Sequence, residues 1–167
     1  MDLYLLRHAI AVDRGATGYE IDSMRPLTPE GARKMERAAQ GMRALNLSFD
    51  LILSSPYLRA KQTAEIVARV LRSEDRLELA ADLAPGGNRM GLIESLNQHP
   101  SQPESVLLVG HEPDMGELIS MLTAGNFDLL VVMKKGGLCK LSAESLHYGR
   151  CASLCWLLTP RQLTLMA

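Results

Sequence analysis

Leu3-Tyr4-Leu5-Leu6 is a short, unbroken apolar run that stops abruptly at the cation and imidazole of Arg7-His8. A run without alternation suits a strand buried on both faces, and such strands belong to sheets covered by helices on either side. An Arg and a His at the tip of a core strand contribute little to packing. They sit where an open α/β sheet presents its ligands, at the carboxyl end of a strand. The chain repeats this arrangement twice. Phe49 to Leu53 reads as a second strand ending in Ser54-Ser55-Pro56, with Ser55 as N-cap and Pro56 at the first helical position. Ser105 to Val109 reads as a third, ending in Gly110-His111-Glu112-Pro113.

Helical periodicity fills the intervals. Thr28-Pro29-Glu30 opens a helix with Met35, Ala38, Ala39, Met42 and Leu45 on its apolar face, weakened by Gly31 and Gly41. Thr63, Ile66, Val67, Val70 and Leu71 form the stripe of the next helix, and Arg89 to Asn97 is a short one. Met115, Leu118, Ile119 and Leu122 mark another, stopped by Gly125. Residues 11 to 27 form a loop long enough to be functional. Leu77 to Ala80 is a weaker strand. Toward the end, Leu129 to Met133, Leu138 to Leu141 and Cys151 to Leu158 read as strands, with Lys134-Lys135-Gly136-Gly137 as a hairpin turn between the first two. The expectation is one domain, residues 1–167, built as a three-layer α/β sandwich with a mostly parallel sheet mixed at one edge.

Composition narrows the function classes. A net charge of -1 without blocks of like charge argues against nucleic-acid or anionic-membrane surfaces, and 4% aromatics against base-stacking platforms. Cys139, Cys151 and Cys155 make neither a disulfide framework nor a zinc site. His and carboxylate spacings supply no ligand set, so neither metal nor cofactor is expected. No apolar stretch reaches spanning length, the chain starts directly with a core strand, and a cytoplasmic location is the default.

Parallel neighbouring strands would bring Arg7, His8, Arg59 and His111 to one sheet edge, because a side chain in the first turn of a helix leans toward its N-terminus. Two guanidiniums suit an anion with several oxygens, phosphate above all. Helix N-termini add N–H donors. His8 among cations resists protonation, and a neutral imidazole is a competent nucleophile.

Leu-Arg-His-Ala at 6–9, Ser-Ser-Pro-Tyr-Leu-Arg-Ala-Lys-Gln-Thr-Ala at 54–64 and Val-Gly-His-Glu-Pro at 109–113 resemble the histidine phosphatase superfamily, with its phosphoglycerate-mutase-like fold. Ala9 stands where the family motif has Gly. The resemblance implies that His8 accepts the phosphoryl group and that Arg7, Arg59 and His111 surround it. Arg25-Pro26-Leu27-Thr28-Pro29-Glu30-Gly31, Leu83-Ala84-Pro85-Gly86-Gly87 and Trp156-Leu157-Leu158-Thr159-Pro160 are similar to the short SixA-type phosphohistidine phosphatases, which lack the large helical insertions of mutases.

An alkoxide leaving group needs a proton donor. Asp82 is the loose candidate, with Glu112 and Glu30 as others; Asp22 and Arg25 could border the substrate. A phosphohistidine leaves far more easily, so the expected partner is a phosphohistidine-bearing protein of the phosphotransfer type. The alternatives are a small-molecule phosphomonoesterase using Asp82, or a phosphate-binding module that no longer turns over.

Overall fold

The computed structural model describes residues 1–167. Six strands join one sheet: β1 (Asp2–Arg7), β2 (Leu51–Ser54), β3 (Leu77–Leu79), β4 (Ser105–Gly110), β5 (Leu138–Ala143) and β6 (Ala152–Leu158). Their order is β3-β2-β4-β1-β5-β6. β1 to β4 run parallel, with Leu5 opposite Leu108 and Leu53 opposite Leu108 on the other side. β5 is antiparallel to β1, and β6 to β5. The sheet is therefore parallel in its body and mixed at one edge, as the apolar runs imply.

Five helices cover it: α1 (Pro29–Ala44), α2 (Leu58–Leu71), α3 (Arg89–Asn97), α4 (Asp114–Ala124) and α5 (Pro160–Leu165). Alternate residues of β1 divide between two cores. Tyr4 and Leu6 pack with Met35, Met42, Val67 and Leu163 on the face of α1, α2 and α5. Leu3 and Leu5 pack with Leu92, Leu96, Leu118 and Leu122 on the face of α3 and α4. The chain leaves β1 toward the first face and β4 toward the second. Their adjacent carboxyl ends form a topological switch point, the place where α/β sheets open a crevice for ligands.

α1 begins as its sequence implies, with the Thr28 hydroxyl accepting the Gly31 N–H at 2.9 Å and Pro29 in the first position. Gly31 and Gly41 are contact points in it. A side chain on Gly31 would strike the carbonyl of Ile10, and one on Gly41 the carbonyl of Leu163 in α5. Propensity alone says Gly41→Ala should stabilise by roughly 1 kcal/mol. Overpacking says the reverse, and we expect destabilisation by about 1–3 kcal/mol. The urea midpoint of the variant decides the sign.

Three expectations give way. The second helix starts at Leu58, with Tyr57 at the N-cap position and without a side-chain cap. Ser55 instead accepts the Tyr57 N–H at 3.2 Å within the strand-to-helix turn. Leu129 to Met133 forms no strand, and Lys134 to Gly137 is no hairpin between strands. That turn locks the tip of β1: Gly136 N–H donates to the carbonyls of Arg7 and His8, and the Arg7 N–H donates to the Gly137 carbonyl. The observed hairpin pairs β5 with β6. Finally, α5 opens on Pro160 behind the N-cap Thr159, whose capping box with Gln162 marks a helix start beyond the strand expected over 151–158.

Both sheet edges are blunted. β3 has three residues, with Glu78 exposed among them. In β6 the register shifts so that Lys140 faces Trp156 while Leu141 faces Leu154, leaving Cys155 as an extra residue. Short edges, charges and bulges each discourage pairing with another chain. No helix is long and apolar enough to cross a membrane.

Candidate active site

His8 follows β1 directly and is 7% exposed. Its N–H donates to the Gly110 carbonyl at 3.0 Å, which continues the β1–β4 ladder past the strand end. The next residue, Ala9, donates its N–H to Thr63 Oγ1 at 3.0 Å, and Thr63 donates in turn to the Arg59 carbonyl at 2.7 Å. Thr63 therefore fastens the His8 backbone to the first turns of α2. Its place on the apolar stripe disguised that role, and its hydroxyl was the available signal.

The imidazole orientation follows from one contact. His8 Nδ1 lies 2.7 Å from the Ala9 carbonyl, which can only accept, so Nδ1 carries the hydrogen. In the neutral ring Nε2 is then a bare lone pair. Arg59 points its Nε–H at that atom from 3.3 Å. His111 lies beside it, with ring centroids 5.1 Å apart. His111 Nε2 shares a hydrogen bond of 2.8 Å with Ser55 Oγ, a partner that the N-cap assignment hid. Tyr57 stands edge-on to His111 at 5.3 Å, and its ring underlies the Arg59 guanidinium at 5.1 Å.

The structure thus gathers Arg7, His8, Arg59 and His111 at the ends of β1 and β4 and the start of α2. Arg7 donates to the Met133 carbonyl at 2.7 Å, while its Nε is buried without a partner, as is His111 Nδ1. Asp22 and Arg25 join the group. Asp22, in a 3-10 turn of the long loop, accepts Arg59 through its carbonyl at 2.8 Å and its carboxylate at 3.1 Å. Arg25 and Arg14 hold the other carboxylate oxygen at 2.9 and 3.1 Å. Arg59 is thereby gripped from two directions, and its fork is fixed in direction.

The weaker candidates separate. Glu112 borders Arg7, but its two oxygens accept the N–H groups of Gly116 and Met133 at 3.3 and 3.2 Å. It organises the backbone there. Asp82 lies on a 3-10 turn after β3 and makes no hydrogen bond or ion pair with the four residues. Glu30 pairs with Lys34 on the exposed face of α1. No three His, Cys, Asp or Glu side chains gather closely enough to hold a metal ion.

Burial chiefly sets the electrostatics. It pushes His8 down to about 3, with His111, Arg59 and Arg7 adding to the effect and the Ala9 hydrogen bond opposing it. Burial and then Arg59 bring His111 to about 4. The sequence reading credited neighbouring cations; they assist, but loss of water dominates. For Asp22, burial alone would raise the carboxyl, yet the bonds from Arg25 and Arg14 and the charge of Arg59 outweigh it and hold it at about 2.

A histidine that titrates lower when folded binds fewer protons than its unfolded counterpart. Stability is therefore lost as pH falls from about 6.5 toward the folded values. We expect the ring protons of His8 and His111 to show no NMR titration between pH 8 and 5, and thermal stability to fall over pH 6.5 to 4. A His8 midpoint near 6.5 contradicts this description of the site.

The chain is similar to known proteins. Residues 3–84 match the model of the histidine phosphatase superfamily, branch 1. An uncharacterized protein of Picosynechococcus is 38% identical over 139 residues, covering 83% of this chain and 82% of that protein. The phosphohistidine phosphatase SixA of Escherichia coli is 32% identical over 127 residues, covering 75% and 76%. A solved SixA protein histidine phosphatase complexed with tungstate superposes with a TM-score of 0.81 at 26% identity, over 98% and 99% of the two chains. The identities and the coverage place this chain in the histidine phosphatase superfamily, among its SixA-like members.

Proposed function

We propose that the chain is a phosphohistidine phosphatase and that His8 is its nucleophile. One observation carries the reading: the His8 Nδ1–H on the Ala9 carbonyl leaves Nε2 as a bare lone pair among Arg7, Arg59 and His111. An incoming phosphoryl group draws the Arg59 N–H from Nε2 to its own oxygens, and the unpartnered Arg7 Nε and His111 Nδ1 are further groups for it to satisfy. Nε2 then attacks phosphorus, the bond from phosphorus to the leaving atom breaks, and the electron pair goes with that atom. The Ala9 carbonyl stabilises the positive charge that builds on the His8 ring. Water next attacks the same phosphorus, the bond to Nε2 breaks, the water's protons leave on the phosphate product, and the neutral imidazole with its Nδ1–H returns.

The leaving group selects the substrate class. A phosphorylated imidazole protonated on its distal nitrogen leaves as neutral imidazole and needs no acid from the protein. An alkoxide does need one. Asp22, the carboxylate in contact with Arg59, is held at about 2 and has no proton to give, while Glu112, which burial raises, has both oxygens engaged by the N–H groups of Gly116 and Met133. The site therefore suits phosphoramidate cleavage better than sugar-phosphate hydrolysis. The test is a panel of a phosphohistidine protein, an aryl phosphate and sugar phosphates with the purified chain. Sugar phosphates turning over much faster than the phosphohistidine protein would sink the reading.

A further inference from the structure

Leu129-Leu130-Val131-Val132-Met133 has the composition of a strand and pairs with nothing. Its side chains still alternate: Leu130 is 88% and Val132 67% exposed, whereas Val131 is half-buried and Met133 fully buried. The ends are fixed. Leu129 N–H donates to Ser120 Oγ at 3.1 Å, and Met133 N–H to Glu112 Oε1 at 3.2 Å. In between, the N–H groups of Leu130, Val131 and Val132 bond to no protein group. The Val131 carbonyl packs onto Gly116, where a side-chain carbon would sit 2.8 Å from it.

The segment lines a cleft of about 410 Å³ that Arg7, bonded to the Met133 carbonyl, also lines, together with Glu112 and Glu117. Arg7 thus belongs to the cleft and to the anion site together. Moreover, this run is treated unlike the sheet edges. β3 is short and carries Glu78, and β6 carries a bulge, whereas Leu129 to Met133 has no charge and no proline. A strand-prone run left open, apolar and unguarded is a template for strand addition.

Resting on the phosphohistidine reading, we propose that Leu129–Met133 is the docking strand for the extended segment flanking the phosphorylated histidine of a protein substrate. Backbone groups of that segment pair with Leu130 and Val132, whose N–H and C=O face away from Gly116 in an extended backbone. Its apolar side chains cover Leu130 and Val132, and its phosphoryl group enters at the Arg7 end. A docked helix satisfies its own backbone and leaves these amides unused. A small phosphate ester needs the Arg7 end alone.

The probe is a synthetic peptide, Val-Thr-Val-phosphoHis-Val-Thr-Val, run beside free phosphohistidine and an aryl phosphate. In Leu130→Asp/Val132→Asp we expect KM for the peptide to rise about tenfold or more, with aryl phosphate kinetics unchanged. Leu130→Thr/Val132→Thr, which keeps strand propensity, should give a smaller rise in the same direction. With His8→Ala holding the peptide uncleaved, amide exchange at Leu130 and Val132 should slow. Unchanged peptide KM in both variants overturns the proposal. So does a KM change without amide protection, which signals a helix or a side-chain-only contact. If the wild type cleaves free phosphohistidine yet gains nothing from the peptide, docking alone fails. If it cleaves the aryl phosphate and no phosphohistidine at all, the functional reading fails and docking falls with it.

Discussion

His8→Ala should abolish turnover, lowering kcat by about 10⁴-fold or more, because it removes the Nε2 lone pair on which the proposed covalent intermediate forms. A phosphoramidate on histidine is acid-labile and base-stable, so the quenched wild-type enzyme should carry label with that signature from a radiolabelled aryl phosphate. The variant should carry none while still binding inorganic phosphate, since Arg7, Arg59 and His111 keep their supports on Met133, Asp22 and Ser55. Label that persists on His8→Ala, or turnover within about tenfold of wild type, would remove His8 from the chemistry.

Arg59→Lys should be the next most damaging conservative change, costing about 10²–10³-fold in kcat. Charge survives in the variant, so charge is not what it loses. The guanidinium donates through three nitrogens at once: Nε to His8 Nε2, and the other two to the carbonyl and carboxylate of Asp22. A lysine ammonium is a point charge without that fork. It can reach Asp22 or the phosphoryl oxygens, and it cannot be oriented by one while serving the other. kcat should fall more than KM rises, because the fork's worth lies in meeting charge on the equatorial oxygens in the transition state. An equal effect on both constants would reduce Arg59 to ground-state binding.

The parts legible in sequence are those governed by short-range rules. Unbroken apolar runs marked β1, β2 and β4, and each ended on a residue too polar for a core, which located Arg7, His8 and His111. Thr28-Pro29 and Gly125 marked helix ends because capping and left-handed geometry are local. Contacts between distant segments were not legible. Thr63 is a hydroxyl in an apolar stripe until the backbone of Ala9 arrives beside it. Gly31 and Gly41 look like weak points of a helix until Ile10 and Leu163 press against them. Leu129 to Met133 meets every local criterion for a strand, but β1, which it adjoins through Arg7 and Met133, already has β4 and β5 as neighbours.

The position of β1 has a consequence for biosynthesis. It precedes every other strand of the sheet and lies inside it, with Leu3 between Val106 and Leu141. Both partners are translated about a hundred residues or more after it, and Leu163, which packs against Gly41 of α1, follows them. The nascent chain must carry Leu3 to Leu6 unpaired until β4 and β5 have been made. Contacts so remote in sequence are slow to form, and through that interval this apolar tetrad is the natural target for a chaperone. The proposed nucleophile, His8, is thus made before the strands that fix it, and acquires its geometry only once β4 and β5 arrive beside β1.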